Sequence, residues 1–107
     1  MIHKMKLLEQ PFDDIVNGNK KIEFRLFDDK RKKIKVGDTI EFSKLPNLEE
    51  KIMVKVIDLY QYPTFKDLFF YLGYRGSELD NMVKGMYTIY SLKQEKENGV
   101  LGIKIGD

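Results

Sequence analysis

The chain has no cysteine and no tryptophan, and only one histidine and three prolines among its 107 residues. The missing thiols exclude a disulfide framework, a cysteine-ligated zinc site and a thiol nucleophile. The lone imidazole, His3, excludes histidine-paired metal sites and two-histidine nuclease chemistry within one chain. So close to the N-terminus, His3 is expected to be solvent-exposed and silent. No stretch approaches the roughly 20 apolar residues of a membrane-spanning helix. Met1 to Lys6 has no long apolar region behind its charges, so a secretory signal is not expected and a cytoplasmic location is.

What is present is an ordinary globular balance, 42% hydrophobic and 34% charged, with enough apolar mass to offset chain entropy. A chain of 107 residues has room for one core, so a single domain over residues 1–107 is expected. The formal net charge is only +2. Any preference for polyanions must therefore come from where the charges sit.

Residues 2–9 read as a short, edge-like strand. Pro11 suits the first turn of a helix over residues 11–17, with Asp13 and Asp14 complementing its dipole and Gly18 as its stop. Lys21 to Leu26 alternates: Ile22, Phe24 and Leu26 point one way, and Lys21, Glu23 and Arg25 the other. Asp28 to Lys33 reads as a solvated charged loop, and Gly37 as a turn. Thr39–Phe42, Lys51–Tyr60 and Val100–Ile105 are further strands. Capping patterns at Thr64–Asp67, Ser77–Asp80 and Ser91–Gln94 start short helices before the last strand. The expectation is a mixed α+β fold: five strands closed into a small β-barrel, with about three short inserted helices.

The informative segment is Gly18-Asn19-Lys20-Lys21-Ile22-Glu23-Phe24-Arg25. Spacing alone makes its charges a wet strand face with cross-strand pairs. Together with Ile34 to Phe42, Tyr62 to Leu68, Met86 to Ser91 and Gly99 to Ile103, however, the Gly-x-Lys-x-x-Glu-x-Arg pattern resembles an ASCH domain along nearly the whole chain. The resemblance implies a PUA-like β-barrel and an RNA or nucleotide-like ligand in a cleft lined by that motif. Carried over by position, Lys20, Glu23 and Arg25 line the cleft, beside Lys21. Arg25 would fork onto a phosphate or base edge, Lys20 would supply a point charge, and Glu23 would accept from an exocyclic amine.

Some small bacterial ASCH proteins are amidohydrolases that remove the acyl group from N4-acetylcytidine. Their nucleophile is a threonine hydroxyl activated by lysine, where this chain has Glu23 beside Lys20. In a hydrolase of that kind Lys20 and Glu23 would be the catalytic pair, Glu23 activating water, with Glu78 or Glu95 in support. Two further segments suit a polyanion. The basic run Lys30, Arg31, Lys32, Lys33 and Lys35 has the charge to follow a phosphate backbone. Tyr62, ahead of Pro63, is the tyrosine best placed to stack on a base. No metal and no cofactor is expected.

Overall fold

A computed structural model describes residues 1–106. Alternation builds the first strand, β1 (Ile2–Leu7), which buries His3, Met5 and Leu7 and exposes Ile2, Lys4 and Lys6. Helix α1 (Glu9–Val16) follows and buries Phe12 and Ile15, with Pro11 in its first turn as expected. The remaining strands are β2 (Ile22–Leu26), β3 (Thr39–Lys44), β4 (Lys51–Tyr62) and β5 (Val100–Gly106). Helices α2 (Phe65–Tyr71), α3 (Gly76–Met86) and α4 (Leu92–Asn98) fill the interval between β4 and β5. The five strands form one sheet in the order β1-β3-β4-β5-β2. This is the α+β class and strand complement of a PUA-like fold, with four α-helices where about three were expected.

The chain divides into two units, one of residues 1–23, 34–59 and 103–106, the other of residues 24–33 and 60–102. In the first, β1 runs parallel to β3 and β3 antiparallel to β4. Met5, Leu7, Ile40, Phe42, Val54 and Val56 are buried there, each contributing about 1.5–3 kcal/mol. The Lys44 ammonium is 3.0 Å from Asp13 on α1 and lies over the Phe12 ring, and the Asp13 hydrogen bond holds its pKa above the usual lysine range.

His3 departs from its expected exposure. It takes the inward phase of β1 and is buried, with Nε2 donating to Asp38 Oδ2 at 2.7 Å. A buried imidazole needs a partner, and β3 begins one residue after Asp38, so the parallel register delivers one. Asp38 also accepts from the Lys35 backbone N–H at 3.0 Å and faces the N-terminal ammonium at 3.7 Å. The His3 bond first, then the Lys35 N–H, hold its carboxyl below the usual range. A carboxyl depressed in the folded state stabilises the fold above its unfolded pKa, near 3.9, and loses that contribution as pH falls through the folded value. Urea midpoints of wild type and Asp38→Asn should therefore differ at neutral pH and converge below about pH 4. A gap that persists down to pH 2 would assign the effect to packing rather than charge.

In the second unit, Leu26, Phe65, Leu68, Phe69, Leu79 and Val100 form the core. Phe24 meets Phe69 edge-on at 4.8 Å between ring centroids. Met82 and Met86 pack against this cluster. Thr64 caps α2 by accepting from the Asp67 N–H, and Ser91 with Gln94 makes a complete capping box on α4. Ser77 does not cap. The chain turns earlier, at Arg75, whose Nη1 donates to the carbonyls of Phe70 and Tyr74 at 2.7 and 2.8 Å, so α3 starts at Gly76. Glu95 is buried on α4. Its Oε2 accepts from the Phe65 N–H at 2.9 Å and its Oε1 from the Tyr87 hydroxyl at 2.8 Å.

Candidate functional site

The end of α1 sets the site's geometry. Gly18 has φ +77°, a left-handed conformation that a glycine adopts without strain. Behind it the N–H groups of Asn19 and Lys20 both donate to the Asp14 carbonyl, at 2.8 and 3.0 Å. The Lys21 carbonyl then accepts from Ile105 N–H at 2.9 Å. The backbone on both sides of the Lys20–Lys21 peptide is thus pinned, to α1 and to β5. Lys20 Nζ lies 2.8 Å from Glu23 Oε1.

Glu23 is not on a wet face, as its alternation with Ile22 and Phe24 suggested. It is only 4% exposed, and Ile22 and Phe24 are half-buried. A carboxylate taken out of water is expensive unless an opposite charge and hydrogen bonds compensate it. The Lys20 ammonium supplies that charge.

Lys20 and Lys21 rim an open hollow of about 310 Å³ in the first unit, with Ile15, Val54 and Ile105 among its walls. Its size is at the lower end of small-ligand sites. Aliphatic side chains and polar groups share its walls, the polar surface being slightly the larger, and its charge is modest. Two ammonium groups rim it, and one is neutralised by Glu23, leaving about one net positive charge for a ligand. The hollow therefore suits a flat, weakly charged group better than a cluster of phosphates. Sequence reasoning did not single out its apolar walls, because Ile15, Val54 and Ile105 carry the same signal as any core residue.

The other expected site residues lie in the second unit, except Lys35, which is in the first. Arg25 is half-buried two positions beyond Glu23 on β2. Lys30 to Lys33 are not a plain solvated loop, because Arg31–Lys33 forms a 3-10 turn. Asp28 organises that turn, accepting from the Arg31 backbone N–H at 3.1 Å and from its Nη1 at 3.0 Å. Lys32 is 3.7 Å from Asp29 and lies over the Phe27 ring. Lys30 and Lys33 are exposed. The basic run is thus partly committed to holding its own turn. Tyr62 ends β4 rather than standing on a loop. Its ring lies 5.2 Å from that of Tyr71, and desolvation, then Tyr71, raise its phenol pKa. Of the two supporting acids, Glu78 is exposed in the first turn of α3, whereas Glu95 is committed to Phe65 and Tyr87.

Among the described residues, no group of three or more histidine, aspartate or glutamate side chains could hold a metal ion, and no helix is long and apolar enough to cross a membrane.

None of the curated proteins matches the chain. Two solved structures resemble it along nearly its whole length. The crystal structure of hypothetical protein PH0355 is 34% identical, with a TM-score of 0.81, 98% of this chain and 97% of that one being covered. The solution NMR structure of protein PF0455 from Pyrococcus furiosus is 31% identical, with a TM-score of 0.72 and coverage of 98% and 96%. The ASCH domain family model matches residues 5–106, a span that includes the Gly18 to Arg25 motif and the residues lining the hollow. The chain belongs to the ASCH domain family.

Proposed function

We propose that the chain is an RNA-associated binding module that seats one nucleotide of a strand in the hollow rimmed by Lys20 and Lys21. The observation that carries this reading is the Lys20–Glu23 ion pair at 2.8 Å beside a hollow of about 310 Å³ with mixed aliphatic and polar walls. A base and its ribose, part apolar and part hydrogen-bonding, match walls that mix aliphatic side chains with polar groups. A phosphodiester carries one negative charge, equal to the single charge left over at the rim. A free triphosphate brings several negative charges, more than the rim can balance. The family's suggested role in RNA binding agrees with that preference. An amidohydrolase reading draws no support from the geometry. Glu23 stands where a hydroxyl nucleophile is required, and it is already engaged by Lys20.

An NMR titration with a dinucleotide and, separately, a nucleoside triphosphate tests the assignment. The dinucleotide should shift the amides of Ile15, Lys20, Lys21 and Ile105 and bind more tightly than the triphosphate. Tighter triphosphate binding, or shifts that leave these four amides unmoved, would overturn it.

A further inference from the structure

We infer that the outer face of β1, β3 and β4, continued onto β5, is a lysine track that holds the sugar–phosphate backbone of single-stranded nucleic acid. The inference rests on the nucleic-acid reading above but uses a different surface. The strand register sets out its rows: Ile2, Thr39 and Lys55; Lys4, Glu41 and Met53; Lys6, Ser43 and Lys51. Their neighbours along each strand, such as His3, Met5, Ile40, Phe42 and Val54, are buried, so these rows form the opposite, solvent-facing side. Lys104 of β5 joins them. A Cβ on Gly106 would sit 3.1 Å from the Ile57 side chain, which places Gly106 and, by alternation, Lys104 on the side of Ile57 and Lys55.

The face carries five lysines, Lys4, Lys6, Lys51, Lys55 and Lys104, against the single carboxylate of Glu41. That is four positive charges in excess. The whole chain carries +2, so everything outside this face sums to two negative charges. An ordinary wet sheet face pairs opposite charges across its strands. Here the rows set Lys4 opposite Glu41, and Lys55 Nζ donates to the Thr39 hydroxyl at 3.0 Å. Lysines on an edge strand can serve simply to block edge-to-edge pairing, which would account for Lys4 and Lys6. It does not account for Lys51, Lys55 and Lys104, whose strands lie inside the sheet order.

Along one strand, side chains on this face repeat at about 6.7 Å, and neighbouring strands lie about 4.8 Å apart. Flexible ammonium groups on that grid can follow the phosphates of an extended strand. No aromatic residue stands in these rows, so the face has nothing on which to stack bases and would bind without reading sequence. Membrane-surface elements present a broad apolar face with aromatic anchors. Here the exposed apolar members are Ile2, Met53 and Ile57, scattered among the lysines. Ile52 and Val54, which border the hollow, alternate with Met53 along β4. Track and hollow therefore occupy opposite faces of the same strand and can be tested separately.

The test compares a triple variant, Lys4→Gln, Lys51→Gln and Lys104→Gln, with a control, Lys66→Gln, Lys84→Gln and Lys93→Gln, whose lysines are exposed in the second unit. Anisotropy titrations with a labelled single-stranded RNA of about ten nucleotides, over a range of salt, give the slope of log K against log salt. Each lost phosphate contact lowers that slope by about 0.7 for single strands. The track variant should lose about 2 from the slope while keeping wild-type affinity for a dinucleotide. The control should lose much less. Equal slopes in the two variants would overturn the track, as would wild-type protein that captures anionic lipid vesicles but not the oligonucleotide. Loss of dinucleotide binding with an intact slope difference would instead count against the hollow.

Discussion

Glu95→Ala should lower the melting temperature by roughly 15–30 °C. The substitution removes the acceptor of two donors at once, the Phe65 N–H and the Tyr87 hydroxyl. Stranding a buried donor costs about 1–3 kcal/mol, so two stranded together lose about 3–5 kcal/mol. For a chain of this length each kcal/mol is worth about 4–8 °C, and the loss is a large part of a typical stability of about 5–15 kcal/mol. The carboxylate also lies at the first residue of α2, where a negative charge meets the positive end of the helix dipole. Tyr87 cannot readily reverse roles, because burial, then the bond to Glu95, pushes its phenol up to about 12 and it stays a donor over the accessible pH range. Glu95→Gln keeps one acceptor and should lose only about 1–2 kcal/mol. Thermal melts followed by circular dichroism rank the two variants. If Glu95→Ala melted within a few degrees of wild type, the carboxylate would not be holding α2 and α4 together, and a chemical role for it would regain interest.

At Lys20 and Glu23 the order of effects should separate stability from binding. Lys20→Met leaves a carboxylate that is 4% exposed without the ammonium that lies 2.8 Å from it. Removing one partner of a fully buried pair costs about 3–5 kcal/mol, but Lys20 is 24% exposed and water relieves part of that. A loss of about 2–3 kcal/mol is expected. The double variant Lys20→Met with Glu23→Leu removes both charges in similar volume and should recover to within about 1 kcal/mol of wild type. Its dinucleotide affinity should nevertheless fall at least tenfold, because the rim charge is gone. Stability recovered together with affinity would show the pair to be a packing device that no ligand uses. Urea denaturation and the dinucleotide titration measure the two halves.

The sequence carried the elements better than their faces. Thr64 and Ser91 announced α2 and α4, because a capping pattern is local and its donors are the next few backbone N–H groups. Ser77 does not cap because Arg75 is tied to the carbonyls of Phe70 and Tyr74, and the helix starts two residues earlier. Alternation groups Lys21, Glu23 and Arg25 on one side of β2. It could not say which side is wet, since burying Glu23 depends on an ammonium three residues away. His3 was legible in retrospect, since it shares the phase of Met5 and Leu7 against Lys4 and Lys6. Its partner Asp38 was not, because parallel pairing with β3 leaves no mark on either segment. The lysine face was hidden for the same reason: its members come from four strands, and only the register brings them side by side.

The strand order also bears on how the chain is made. β5 lies between β4 and β2 in the sheet, yet its residues, Val100–Gly106, are the last of the elements to leave the ribosome. β2, carrying Glu23, emerges early and must wait for them. At about 5–20 residues per second the wait is on the order of seconds. Throughout it, the Ile22–Leu26 segment has no neighbour to close its ladder. Assembly is therefore end-loaded, and a ribosome that stalls before residue 100 would hold a chain whose strand bearing Glu23 is still without its place in the sheet.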